Sequence, residues 1–199
     1  MGDNDNKTLL SQDEFATVMQ FKSDGNGSFV ASDWNKAEDN YVAAISVYEI
    51  SGYTLATSTG LERETLVALL SNLSMVYLKK GVYPDAERAA SRCLELDSGH
   101  SKASYRRATA RLQMSRKTSR GDLQRIRGAQ EDVLRCDQGD ATRKLLGRIK
   151  AEQKRIENIE RQMQQFRMQF SSAVDSGDRA PPMSGGDPCC GTNKDGVVS

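Results

Sequence analysis

Residues 72–97 read NLSMVYLKKGVYPDAERAASRCLELD. The first part closes a helix whose apolar positions run through LVALLSNLSMVYLKK and which stops at Gly81. Pro84 suits the first position of a second helix, with Asp85 and Glu87 favourable in its first turn, and that helix ends near Asp97-Ser98-Gly99. Ser74, Ala86, Ala90 and Cys93 are small, so two helices built from this stretch are able to approach closely. Tyr77 fills space between such units.

Working outward, the chain keeps breaking at short intervals. Ser11-Gln12-Asp13-Glu14 is a capping box, and Leu10 and Phe15 stand where a hydrophobic staple would. The spacing predicts a helix to about Ala31, and a second, capped by Asp33, from Trp34 to Ile50. SGYTLATSTG (51–60) reads as a loop, and Thr59-Gly60-Leu61-Glu62 as a further capping box. Further helices are expected from Ser101 to Met114, interrupted by RKTSRGD, and from Leu123 to Cys136. Asp140 is placed to cap a long last helix to about Phe170. No run alternates like a strand, so the fold class is all-α.

These helices repeat. Gly25, Ser28, Ala37, Tyr41 and Ala44 fall at the same internal offsets (3, 12, 16 and 19) as Ser74, Tyr77, Ala86, Ala90 and Cys93. A third copy begins at Ala108, 34 residues after Ser74, and reaches Val133 about six residues late because of the RKTSRGD insertion. The surplus between the first two copies falls at the 51–60 loop and its flanks. The third copy is degraded, with Gln130 where an aromatic is usual. A helix-turn-helix period of about 34 residues is the tetratricopeptide (TPR) signature. Three such units, capped by the last helix, make an α-solenoid with a concave groove.

Composition narrows the function. The 199 residues carry 28 Lys+Arg, 27 Asp+Glu, one His, four Cys and one Trp. No stretch approaches the roughly 20 apolar residues of a membrane span. The acidic N-terminus lacks the pattern of a secretory signal. Few cysteines point to a reducing compartment and a cytoplasmic location. No phosphate-loop, dinucleotide, zincin or nucleophile-elbow motif occurs, and His100 stands alone. The chain therefore reads as a non-enzyme with no cofactor and no metal. Cys93 and Cys136 read as small core residues, and His100 is given no role. Near-neutral charge hides an asymmetry: residues 1–100 carry −7, residues 101–170 carry +10 and residues 171–199 carry −2. A basic second half suits an acidic partner. Nucleic acid is disfavoured, because the few aromatics are assigned to packing between helices.

The first helix of each unit faces the groove, and there stand Lys22 and Asn26, then Asn72, then Lys102 and Arg106. Each i,i+4 pair shares one helix face. Three cations and two amides converging across neighbouring helices suit a small dianion, with charge from Lys and Arg and orientation from Asn. Lys22-Ser23-Asp24-Gly25-Asn26-Gly27-Ser28-Phe29, Asn72-Leu73 and Lys102-Ala103-Ser104-Tyr105-Arg106-Arg107-Ala108 resemble the dicarboxylate-clamp TPR domains of co-chaperones. The large FK506-binding immunophilins, whose C-terminal TPR region looks most alike, are among them. The resemblance covers about residues 15–170. It implies that Lys22, Asn26, Asn72, Lys102 and Arg106 hold the terminal aspartate of the EEVD tail of cytosolic 90-kDa and/or 70-kDa heat-shock chaperones. About ten residues precede the first helix, so no isomerase domain is expected before the repeats.

The expected organisation is a flexible N-terminus (1–10), three repeats within 11–139 (about 11–50, 60–98 and 101–137), a capping helix (140–170) and a disordered tail (171–199). The last helix places Ile149, Ile156, Met163 and Phe170 seven residues apart, with Leu145, Leu146 and Ile149 expected to pack on the third repeat. Eight basic against three acidic residues in 141–170 make it a basic amphipathic helix, so the alternative reading is a scaffold that binds calmodulin or another acidic partner there. Which chaperone is preferred, and whether Cys189 and Cys190 carry lipid, the sequence leaves open.

Overall fold

The computed structural model describes residues 10–51, 60–117, 123–137 and 139–175. Seven helices and no strand occur among them: α1 (Gln12–Val30), α2 (Trp34–Ile50), α3 (Leu61–Lys80), α4 (Tyr83–Leu96), α5 (Ser101–Lys117), α6 (Leu123–Leu134) and α7 (Asp140–Asp175). The expectations for residues 1–9, for most of the 51–60 loop and for the tail beyond Asp175 with Cys189 and Cys190 lie outside the described residues, whereas residues 171–175, expected in the tail, continue α7. Two compact units divide the chain, Met1–Glu157 and Asn158–Ser199, and α7 contributes to each.

The ends of α1 follow from local chemistry. Ser11 Oγ accepts from the Glu14 amide at 3.2 Å while Glu14 Oε2 accepts from the Ser11 amide at 2.8 Å, a complete capping box. The helix closes with the Asp33 amide donating back to the Ser28 carbonyl at 3.0 Å. Ser32, at φ +60°, makes that reversal. α3 stops the same way: Gly81 has φ +74° and the Val82 amide donates to the Tyr77 carbonyl at 2.9 Å. Ser32 and Gly81 hold the same position in their repeats, seven residues after Gly25 and Ser74. The third repeat has Ser115 there, and α5 runs on through it to Lys117. The first residues of RKTSRGD are therefore helical rather than a break.

Three other boundaries differ from the sequence reading. Gly60 caps α3 with no side-chain hydrogen bond, and Glu62 is turned away from a capping box: its Oε1 accepts from the Leu10 amide at 3.1 Å. Pro84 stands second in α4, behind Tyr83, where its missing N–H is equally harmless. Gly139, whose carbonyl accepts from the Arg143 amide at 3.0 Å, precedes Asp140 as the cap of α7.

Short connections fold each helix back on its predecessor, giving the pairs α1–α2, α3–α4 and α5–α6. The repeat positions are what the pairs bury: Gly25, Ser28, Ala37, Tyr41 and Ala44 in the first, Ser74, Ala86, Ala90 and Cys93 in the second, Ala108 and Val133 in the third. One apolar cluster joins the first two repeats around Leu69, Leu70, Val76 and Tyr48; Ala103 of α5 also belongs to it. A second unites Leu112, Ile126 and Val133 with Leu145, Ile149 and Ile156 of α7, so the start of α7 covers the third repeat. Burial pushes the Cys93 thiol up to about 12 with the Asp97 charge adding to it, and the thiol is an inert core group. Between α4, α5 and α6, Asp132 (1% exposed) binds Arg107 at 2.5 Å and Arg111 at 2.9 Å, and Glu87 takes the other side of Arg111 at 2.6 Å. A buried carboxylate with two guanidiniums is tolerable only when paired in this way.

Candidate functional site

The first helices of the repeats are neighbours, α1 against α3 and α3 against α5. Where these helices meet, Asn26 comes against Asn72, and Lys102 and Arg106 share a cavity, while Lys22 stands apart from them on α1. Asn26 and Asn72 meet directly, Asn72 Nδ2 donating to Asn26 Oδ1 at 3.2 Å. Arg106 reaches across from α5 to Ser71, the neighbour of Asn72, donating through Nη1 to the Ser71 carbonyl and to Ser71 Oγ at 2.6 Å. Lys102 and Arg106 line one cavity of about 660 Å³ with Met75, Leu78, Lys79 and Tyr105. Lys22 lies one turn before Asn26 on α1, and no hydrogen bond or ion pair joins it to the other four.

What the cations lack is as telling as what they have. Arg107 and Arg111, one and five residues past Arg106, are both held by carboxylates. Arg106 bonds only to neutral oxygens of Ser71, and neither Lys22 nor Lys102 has an acidic partner among the described residues. Burial pulls the Arg106 guanidinium below its ordinary value, so its charge is held there at a cost that an arriving anion would offset. Lys79, Lys102 and Arg106 thus line a cavity that Asp137 also lines, and among the described residues no carboxylate is ion-paired with Lys102 or Arg106. The Asn72 amide also meets the Tyr41 phenol, and Arg106 keeps Nη2 and Nε beyond the Ser71 contacts.

Two residues at this site had no signal in the residue types alone. Ser71 is buried and orients Arg106. Tyr41, read only as a packing aromatic, donates its hydroxyl to Asn26 Oδ1 at 2.7 Å. His100 also has a part: its Nδ1 and carbonyl both accept from the Ala103 amide, at 3.1 and 3.0 Å, so it caps α5, the helix that carries Lys102 and Arg106. Among the described residues no group of three or more His, Cys, Asp or Glu is placed to hold a metal, and no helix is long and apolar enough to cross a membrane.

Three antiparallel helix pairs with small residues at the repeat offsets and first helices side by side define the tetratricopeptide-repeat fold. No family model matches the chain. The curated unc-45 homolog B of Danio rerio is 29% identical over 101 residues, which is 51% of this chain but 10% of that protein. Among solved structures, the second TPR domain of human RPAP3, determined with the HSP70 peptide SGPTIEEVD, matches with TM-score 0.52 and 24% identity over 69% of this chain and 98% of its own. The C-terminal TPR-containing domain of a Plasmodium falciparum FK506-binding protein matches with TM-score 0.55 and 16% identity, covering 80% of this chain and 99% of that one.

Proposed function

We propose that this chain is a non-catalytic cytoplasmic co-chaperone adaptor that binds the C-terminal EEVD tail of 70-kDa and/or 90-kDa heat-shock chaperones. Lys22, Asn26, Asn72, Lys102 and Arg106 form the dicarboxylate clamp. The carrying observation is that Lys102 and Arg106, which share one cavity, have no ion-paired carboxylate among the described residues, while Arg107 and Arg111 on the same helix are paired. A terminal aspartate brings two carboxylates to it, and the peptide seen with the RPAP3 domain ends in that residue. Each charge-assisted hydrogen bond contributes roughly 1.5–3 kcal/mol before the flexible peptide is ordered. The net is an affinity on the order of micromolar, about −8 kcal/mol.

Calorimetry with a free EEVD peptide tests this. Lys102→Ala and Arg106→Ala should each weaken binding by about tenfold or more, and amidating the peptide terminus by a comparable factor. Added salt should weaken it further. Equal affinity for acid and amide, or for wild type and Lys102→Ala, would rule the clamp out.

A second reading rests on α7. Within Asn158–Asp175, Met163, Phe166 and Phe170 share one helix face and are all exposed, and the Phe166 and Phe170 rings stack at 6.5 Å. That surface, in a helix basic over 141–170, suits calmodulin or another acidic, groove-bearing protein.

A further inference from the structure

A clamp asparagine is useful only one way round. Its NH2 attracts a carboxylate and its oxygen repels one, yet the two ends have the same shape and a free side chain presents both. Something must hold the amide the right way before the ligand arrives.

Asn26 Oδ1 accepts two hydrogen bonds, from Tyr41 Oη at 2.7 Å and from Asn72 Nδ2 at 3.2 Å. Both oxygen lone pairs are thereby used, and the NH2 is left as the end available to a ligand. Tyr41 is 1% exposed and Asn26 is exposed, so the phenol acts on a peptide only through the amide. Burial raises the phenol pKa above its ordinary 10.0, the Asn72 amide and the Arg106 charge opposing, and the hydroxyl remains a donor at any working pH. The ring is seated by a sequence feature of this repeat alone. A Cβ at position 25 would lie 2.7 Å from Tyr41 Cε1, and the matching positions of the other repeats pair Ser74 with Ala90 and Ala108 with Gln130. Gly25 opposite Tyr41 thus occurs in the repeat that carries Asn26, directly beside it.

We propose that Tyr41 is a positioning residue that fixes the orientation of the Asn26 amide in the empty groove. This rests on the clamp reading above. Its role is to preorganise two donors, Asn26 and Asn72, so that the peptide does not have to order them.

Tyr41→Phe in the full chain keeps the ring and removes the donor. Binding of the EEVD peptide, as free acid and as C-terminal amide, should be measured by calorimetry for wild type and variant, with the Asn26 side-chain amide followed by 15N NMR in the peptide-free protein. Affinity for the acid should fall about fivefold, the weight of one hydrogen bond. The preference for acid over amide should shrink, and the Asn26 amide resonances should shift without peptide. A wild type that prefers the acid beside a Tyr41→Phe variant of unchanged affinity overturns this assignment alone. Loss of acid and amide binding in equal proportion, with a lowered melting temperature, marks a packing role only and overturns it too. A wild type indifferent to amidation removes the clamp and, with it, this role for Tyr41.

Discussion

At the scale of the residue, His100 shows how a side chain without a sequence motif acquires a task. Its Nδ1 accepts from the Ala103 amide, which an imidazolium cannot do. Burial lowers its pKa from the ordinary 6.5, with the Arg106 and Lys102 charges adding to that and Asp97 opposing. The unfolded chain therefore takes up the proton more readily than the folded one. The His100 contribution is fully present above pH 6.5 and is lost as pH falls through the lower folded-state value. Denaturant titrations across pH 5–7 should show wild-type stability declining on the acid side, while His100→Asn, a cap that does not titrate, should show a flatter profile. Parallel profiles would remove the cap from the account.

Helix ends are where the elements of this protein differ most from one another. Ser32 and Gly81 make the same left-handed reversal, but a serine with φ +60° pays a Cβ penalty that glycine does not. Ser32→Gly should raise stability by roughly 0.5–1 kcal/mol, the left-handed penalty less the extra freedom of glycine in the unfolded chain. A shift of the denaturant midpoint at constant slope is the measurement, and a lower midpoint would mean the turn is not strained. α5 omits this turn and continues to Lys117, which places the added length of the third repeat after the equivalent of Ser32 and Gly81. Ion pairs hold it both within the pair and to the preceding repeat. Arg107 and Arg111 are tied to Asp132 of α6, and Arg111 to Glu87 of α4.

For the molecule as a whole, α7 matters unequally along its length. Leu145, Ile149 and Ile156 share a cluster with Leu112, Ile126 and Val133, each aliphatic burial contributing about 1.5–3 kcal/mol. A chain ending after Gly139 should lose several kcal/mol, and Lys102 and Arg106 would be carried on a loosened α5. A chain ending after Glu157 keeps the cluster and should melt at the wild-type temperature by circular dichroism. If the two truncations melted alike, the third repeat would not depend on its cap.

Much of this architecture is local and therefore readable in one dimension. The offsets of Gly25, Ser28, Ala37, Tyr41 and Ala44 recur because each repeat solves the same problem of bringing two helices close, and Ser11-Glu14 and Asp33 start helices through bonds within four residues. The five clamp candidates come from the same kind of local pattern, i,i+4 spacing and repeat register, together with the resemblance to clamp-type TPR domains. Long-range partners were not legible. Glu62 looked like half of a capping box because Thr59 stands three residues before it, yet its carboxylate binds Leu10, 52 residues away. Arg106 and Arg107 are adjacent and alike in sequence. Rotation by about 100° between successive helical residues sends one to Ser71 and the other to Asp132. Which arginine is paired with a carboxylate and which is not is a property of what the other helices bring to each face. Only packing settles it.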